Sequence, residues 1–563
     1  MRWNYFWVVC LILLVCCNVV TKGQDLDASI REKLDSLDKI APDSYKDVRP
    51  KGCVYTIRVK TQKDFDVINT TITEAITVGK TNIRVIIGNG VFHFRENQIF
   101  RSDDIKPNVS IVIEGKKRTI ITSDENSNND LSNIKSPWLE MNYSDGPIEV
   151  VNVEDKLCKI PYKNHLNVKE KRNLNKVQIT EWFRSTVYEV QNIDDTGIYF
   201  FASDLQKVSI NGRSGFNVNY DYLYSQNAPR FRLLDTDIVR SCSAARMLYM
   251  ERCSYRQFCL KGLHFVSNKA GGSLITLNDV QSQGFLVSGC TFEHIRGTIM
   301  NASNSANITF KKNIVSNTAG DELRFLNNCT NVRVNNNSFA NCGQSISNSF
   351  CVNCREADYY IANNTFCDFG YCAIGVGIWH GFEKKSYSGG IIEHNEIYFT
   401  PYYFAEAWKY MLMDSGAIYT WTQNDEVIIR YNYIHDYTGA GDNRGIFCDD
   451  GACNLKIYGN FVLNVSNSYC IDSRMSKDQH YGFTNNANNL IAHNVVDGSV
   501  RFQGYGDKER HSIKGANYVV NGSKTEENEF NNLSVNLQDI EIQRGHVEKL
   551  SKKLKNYKLK IMY

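Results

Sequence analysis

The chain is predicted to be an all-β protein: a right-handed parallel β-helix, with an N-terminal helical cap and a small antiparallel β insertion. The first observation behind this is a seven-fold recurrence of an alternating apolar stretch followed by asparagine and another apolar residue. It reads ITFKKNIV at Ile308, VRVNNNSF at Val332, YYIANNTF at Tyr359, GIIEHNEI at Gly390, VIIRYNYI at Val427, LKIYGNFV at Leu455 and NLIAHNVV at Asn489. The marker residues Asn313, Asn337, Asn364, Asn395, Asn432, Asn460 and Asn494 are spaced by 24, 27, 31, 37, 28 and 34 residues, and Cys290 in FLVSGCTF takes the same slot one turn earlier. The second observation is that no helical periodicity separates these segments. Short period-2 strands recurring at such intervals form a stacked solenoid. Parallel strands need a connection longer than a hairpin, which each coil supplies with its further strands and turns. The marker asparagine is expected at a tight bend, where it tolerates the left-handed conformation and bonds to backbone or to the asparagine of the next coil.

The elements follow in order. Met1 and Arg2 precede the apolar run Phe6 to Val20, and Thr21-Lys22-Gly23-Gln24 follows, so residues 1–23 read as a cleaved signal peptide. Residues 24–50 hold an amphipathic helix, with Leu26, Ile30, Leu34, Leu37 and Ile40 on one face and its end near Pro42. In 51–144, Val54 to Val59 alternates as a strand, Asp64 to Val78 reads as a helix, and Ile83 to Ile87, Ile111 to Ile113 and Ile120 to Ile121 read as strands. A helix near the N-terminus blocks the open end of the first coil, whose edge would otherwise recruit other chains. Residues 145–235 break the repeat with alternating segments (Ile148 to Val153, Val187 to Val190, Gly197 to Phe201) and the turn Asp194-Asp195-Thr196-Gly197, a β insertion. The core occupies 236–505, its coils resuming near Leu263 and running to about Gly504. Residues 506–563 are a polar segment and a C-terminal helix from about Leu537, with an exposed face of lysines from Lys549 to Lys560.

Compartment and partners follow from composition. Sequons at Asn69, Asn108, Asn142, Asn301, Asn307, Asn328, Asn336, Asn363, Asn464, Asn521 and Asn532 agree with secretion or delivery to an endomembrane, lysosome-like compartment. Of 18 cysteines, Cys10, Cys16 and Cys17 fall in the leader. The other 15, an odd number, are expected mostly in disulfides, with at least one thiol unpaired or bonded between chains, and Cys367 and Cys372, and Cys448 and Cys453, are close enough to bridge. The group Cys351, Cys354, Cys367 and Cys372 has roughly zinc-like spacing, but disulfides or buried stacking fit this compartment better. A net charge of +3 without long runs argues against nucleic acid. After the leader, no segment suits a membrane span.

Chemistry is concentrated in two successive coils, DSGAIYTWT from Asp414 and GDNRGIFCDDGACN from Gly441. Asp414 and Asp442 each lie 18 residues before their marker asparagine, and Trp421 and Asp449 each 11 before. Ile418 then stacks with Ile446, and Thr420 with Cys448, as an inward row, so Tyr419, Trp421, Phe447 and Asp449 face outward. Asp450 points inward unless the strand has ended or bulged. Carboxylates on neighbouring coils can meet across a groove at about 5–10 Å, the range of a glycosidase pair.

DSGAIYTWT, YNYIHD, RGIFCDDGACN, IYGNFV and CIDSR together resemble secreted right-handed β-helix proteins related to glycoside hydrolases, especially families 120 and 141. The likeness covers roughly residues 51 to 505 and is strongest from Gly389 to Arg474. It implies cleavage of a glycosidic bond in a complex polysaccharide by paired carboxyl groups. Asp414 matches the position of a catalytic aspartate, and Asp449 and Asp450 are its expected partners. Tyr419 or Trp421 would stack on the sugar, and Arg444, Arg474 and His435 would bind hydroxyls or carboxylates, beside Asp442 and Asp472. Each has a structural reading too. Asp414 and Asp442 suit turn caps, Asp449-Asp450-Gly451 an Asx turn, Asp472 and Arg474 an ion pair, and His435 with Asp436 a hydrogen bond at a bend. His380 and Glu393 are further groove candidates.

Two other functions compete. A polysaccharide lyase on this fold would need a base, and calcium or arginine to neutralise a uronate, so calcium is the one cofactor that the aspartates could take; otherwise none is expected. A non-catalytic glycan-binding or surface protein would keep the outward aromatics and use the aspartates only in turns. Cys448-Asp449-Asp450-Gly451 also resembles the double aspartate of polygalacturonases, but their Gly-His-Gly and Arg-Ile-Lys segments are absent.

Overall fold

The computed structural model describes residues 28–40 and, between 53 and 519, the strands and most of their turns. Its longer undescribed stretches are 1–27, 41–52, 124–137, 140–150, 162–173, 202–229, 236–245, 378–388, 401–414, 474–487, 503–512 and 520–563. The leader, the C-terminal helix, His380, Asp414, Asp442, Asp450 and Arg474 therefore lie outside the described residues.

Within them the chain is a parallel β-helix. Three sheets of 13, 11 and 12 strands run along it, and each complete coil contributes one strand to each, the coils at the ends being incomplete. A representative coil runs from Ile308–Lys311 in the 13-stranded sheet through Ile314–Ser316 in the 12-stranded sheet to Leu323–Leu326 in the 11-stranded sheet. The core fills the coil interior, where Phe265, Phe292, Phe310, Phe339 and Phe366 stack at 4.8 to 6.4 Å between ring centres.

The asparagines form the expected ladder at the two-residue bend between the 13- and 12-stranded sheets. The Asn337 backbone N–H and side-chain amide both donate to Asn364 Oδ1 at 2.9 Å, and the amide also donates to the Phe310 carbonyl. The same pattern links Asn313 through Asn494 and continues to Asn517, an eighth member. The left-handed residue is not the ladder asparagine, as expected, but the one before it: Lys312, Asn336, Asn363, His394, Tyr431, Gly459 and His493 have φ between 54° and 65°. The marker is held for its amide, and its predecessor turns the chain.

The cap helix is broken at Val67 into α2 (Gln62–Asp66) and α3 (Ile68–Thr77), α1 being residues 28–38. Thr61 and Asp64 close a reciprocal capping box at the start of α2. Phe65, Ile68, Ile72 and Ala75 join the main core, so this pair blocks the first coil. The amphipathic α1 lies elsewhere: Ile30, Leu34 and Leu37 pack on Ile391, Ile428, Tyr458 and Leu490 at the side of the 13-stranded sheet.

The insertion is a seven-stranded antiparallel sheet between Trp138 and Asp235, with the Asp194 turn joining its two central hairpin strands. It leaves the solenoid without interrupting it, because Gln257–Lys261 pairs directly with Ser110–Gly115. The coils resume at Leu248, earlier than expected, and run past Gly504 to Val519.

The expected disulfides are not formed among the described residues. Thirteen cysteines from Cys53 to Cys470 are thiols, eleven of them buried. The register sets Cys448 beside Thr420 and Cys342 beside Phe369, so these buried cysteines serve as small core residues.

Candidate functional site

The 11-stranded sheet carries the candidate site. Its strands enter with a bend that sends two consecutive residues inward. A Cβ on Gly445 would collide with core Val462, and the next residue, Ile446, is fully buried in the same core. A Cβ on Gly416 would instead meet Phe447 Cβ at 2.8 Å, on the outer side. Arg444 and Phe447 therefore share the outer face, although they are three residues apart.

Past the bend, the register is the predicted one: Ile418 beside Ile446, Tyr419 beside Phe447, Thr420 beside Cys448. The outer row continues both ways, through Arg324, Asn353, Gly375, Tyr419, Phe447, Asp472 and Arg501. Tyr419, Phe447 and Asp449 are nevertheless buried on that face, which the alternation rule does not reveal. Tyr419 is only 3% exposed and packs against Phe350, Tyr371, Trp421 and Phe447. Its face is therefore not a sugar platform. Its hydroxyl donates to Asp449 Oδ2 at 2.6 Å, which fixes that carboxylate. Asp449, 6% exposed, also continues the strand ladder through its N–H to the Thr420 carbonyl.

Arg444 and Asp472 are corrected from substrate binding to structure. Both side chains are fully buried, Arg444 Nε donates to Asp472 Oδ2 at 2.5 Å, and the guanidinium lies 4.0 Å over the Phe447 ring. Arg501, which sequence reasoning missed, donates to both Asp472 oxygens at 2.7 and 2.5 Å. This carboxylate is held by arginines of the two flanking coils, Arg444 and Arg501; Arg474 lies outside the described residues.

His435 is not brought to this face. It lies on the 12-stranded sheet, stacked on Tyr398 at 4.8 Å and Tyr433 at 4.1 Å, with Nδ1 2.8 Å from Asp436. Although partial burial opposes ionisation of Asp436, hydrogen bonds from His435 and Asn464 outweigh it and hold the carboxyl below its ordinary value. Glu393 is on the 13-stranded sheet, bonded to Arg430 and Tyr360.

What stays open on the outer face is a small groove lined by Asn353, Arg355, Gly375, Gly377, Tyr419 and Trp421, with Phe350 and Val376. The Phe350 ring covers Gly375, where a Cβ would collide with it, and Gly377 lies between Arg355 and the next strand. Asn353 and Arg355 were missed because counting back from the marker aligns only coils with equal turns. Arg355 is nine residues before Asn364, whereas Trp421, two strands along, is eleven before Asn432. Among the described residues, no group of three or more His, Cys, Asp or Glu side chains converges to hold a metal.

No protein-family model matches the chain, and no curated protein matches it. Seven chains of solved structures do. One, described as "Glycoside hydrolase", is 9% identical with a TM-score of 0.40, covering 86% of this chain and 100% of its own. Another, "The complex structure of XylC with xylose", is 8% identical with a TM-score of 0.36, covering 79% and 75% respectively. At that distance, the site is read from its own residues.

Proposed function

We propose that the protein is a secreted carbohydrate-active enzyme, a glycoside hydrolase that holds a polysaccharide along the outer face of the 11-stranded sheet. The observation that carries this is the Asp449 carboxylate, locked at 2.6 Å by Tyr419 where that residue lines the groove beside Trp421. An oriented carboxyl group next to an indole suits a flat, hydroxylated ring. Asp449 serves as one member of the carboxyl pair and its chain neighbour Asp450 as the other; Asp414 precedes Ser415, which stands about 16 Å of strand from Thr420 and so too far from Asp449 for a pair. Tyr419 positions Asp449.

The test is saturated reducing-sugar release from a panel of plant, algal and animal polysaccharides, with Asp449→Asn, Asp450→Asn and Tyr419→Phe variants. Each aspartate substitution is expected to lower turnover about 100-fold or more. Tyr419→Phe, which loses one hydrogen bond to a charged group, is expected to lower it about 10-fold. Unsaturated products that vanish with a chelator would replace hydrolysis with elimination.

The near-complete burial of Asp449 favours one competing reading, a glycan-binding protein without turnover. Glycan bound with no product released, and unchanged in Asp449→Asn, is its signature.

A further inference from the structure

The groove beside Asp449 has a donor end, and its chemistry narrows what it binds. Asn353 is only 2% exposed. Its Oδ1 accepts from Arg355 Nε at 3.2 Å, which orients the amide, since the opposite orientation would set two donors face to face. The amide nitrogen that this arrangement turns away from Arg355 is buried with no hydrogen-bond partner. A buried donor left unsatisfied is costly to the fold, so its persistence on a groove wall marks it for an acceptor that arrives from outside.

The surroundings say what kind of acceptor. Arg355 lines the same wall, Arg324 carries the row one coil further, and no carboxylate is among the described lining residues. Trp421 forms the opposite wall. Arg355 pairs in register with Gly377, and the Trp421 N–H continues the next strand's ladder to the Val376 carbonyl, so the walls stand two strand spacings apart. That is about 10 Å at ordinary strand separation, with Gly377 between them and the Phe350 ring over Gly375 beside it, so the opening admits a substituent and the edge of its ring. Asp449 lies one strand beyond Trp421, so that ring adjoins the carboxylate.

We infer that the groove between Asn353-Arg355 and Trp421 is a subsite for an anionic sugar, one bearing a carboxylate or a sulfate ester. This rests on the glycan reading proposed above and narrows its substrate class. The substituent accepts from the Asn353 amide and the Arg355 guanidinium while the ring lies against Trp421, and discrimination comes from the donor that a neutral sugar leaves unmet.

The test is equilibrium binding of three probes, a galacturonate hexamer, a sulfated galactan hexamer and neutral xylohexaose, to the full chain and to Asn353→Leu and Arg355→Gln. One acidic probe is expected to bind at least 10-fold tighter than xylohexaose, with affinity falling as salt rises. Each substitution should remove that advantage. Asn353→Leu should also keep or raise the melting temperature, because it deletes an unsatisfied donor. Equal binding of all three probes, untouched by either substitution, would overturn the anionic subsite and leave the glycan reading standing. Failure to bind any probe would sink both. A lower melting temperature with unchanged affinity in Asn353→Leu would assign Asn353 to the fold instead.

Discussion

At the scale of single residues, the same amide chemistry is repeated until it becomes architecture. Asn395 receives the backbone and side-chain donors of Asn364 and gives its own to Ile361 and Asn432. Asn395→Ala should cost about 3 kcal/mol in urea unfolding, because it strands buried polar groups on both neighbouring coils. Cys290 closes the ladder at its N-terminal end. Its N–H donates to Asn313, and its sulfur lies 3.7 Å from the Leu260 carbonyl that an amide could reach, so Cys290→Asn should be neutral or stabilising. The ladder was legible in sequence because an amide bonded to its own copy in the next coil must recur. The left-handed turn was assigned one residue late, because several residue types fill that position. The thiols were misread as disulfides for a similar reason: cysteine count reports on compartment, not on geometry. Burial pushes Cys290 and Cys448 up to about 12 and Cys329 up to about 11. They should resist iodoacetamide at neutral pH in the folded protein and react fully once unfolded without reductant. Alkylation that requires reduction first would restore the disulfide expectation.

At the scale of the strand, the bend is what makes an outer face with its own chemistry. Gly445 sits where its Cβ would strike Val462 and come within 2.6 Å of the Cys470 carbonyl. Gly445→Ala should therefore cost about 2 kcal/mol or more, and lower glycan affinity with it by displacing the strand that carries Phe447 and Asp449. A melting temperature unchanged from the parent would contradict this placement of Gly445. Alternation named the outward residues correctly because Tyr419, Phe447 and Asp449 all lie beyond the bend. It could not show that aromatic neighbours and Arg444 close over them, since exposure is decided by several coils together. Arg444 and Asp472 illustrate the difference: their types suggest a sugar site, yet an ion pair with no exposed surface serves the fold.

At the scale of the whole molecule, α1 ties the chain's beginning to the later coils of the solenoid. Its apolar stripe was legible at helical spacing, but its destination was not, because its binding surface comes from coils some 390 residues later. Arg430 is the tie. Nε bonds to Glu393 at 2.6 Å, while its other nitrogens bond to the Leu37 and Ile40 carbonyls at 2.8 and 3.0 Å and so satisfy the end of the helix. Tyr431 and Tyr458 donate to the two oxygens of Asp38, and Tyr360 donates to Glu393. Arg430→Ala leaves Glu393 buried without its cation and should cost about 3–5 kcal/mol, more than Asp38→Asn, which removes an acceptor at a half-open edge. The three phenols give the tie a pH limit. Burial, first, and then the neighbouring carboxylates raise Tyr360 and Tyr431 above the ordinary 10.0, and burial also raises Tyr458 against the pull of Arg430. The folded state thus keeps protons that the unfolded chain releases, so this contribution is fully present below pH 10 and is lost as pH rises through the higher folded values. Protease cleavage within α1 should stay slow from neutral pH to about 10 and accelerate above it. The acceleration should begin at lower pH in Arg430→Ala, where no cation offsets the phenolates. Cleavage equally fast at neutral and alkaline pH would mean that α1 is not held by these bonds.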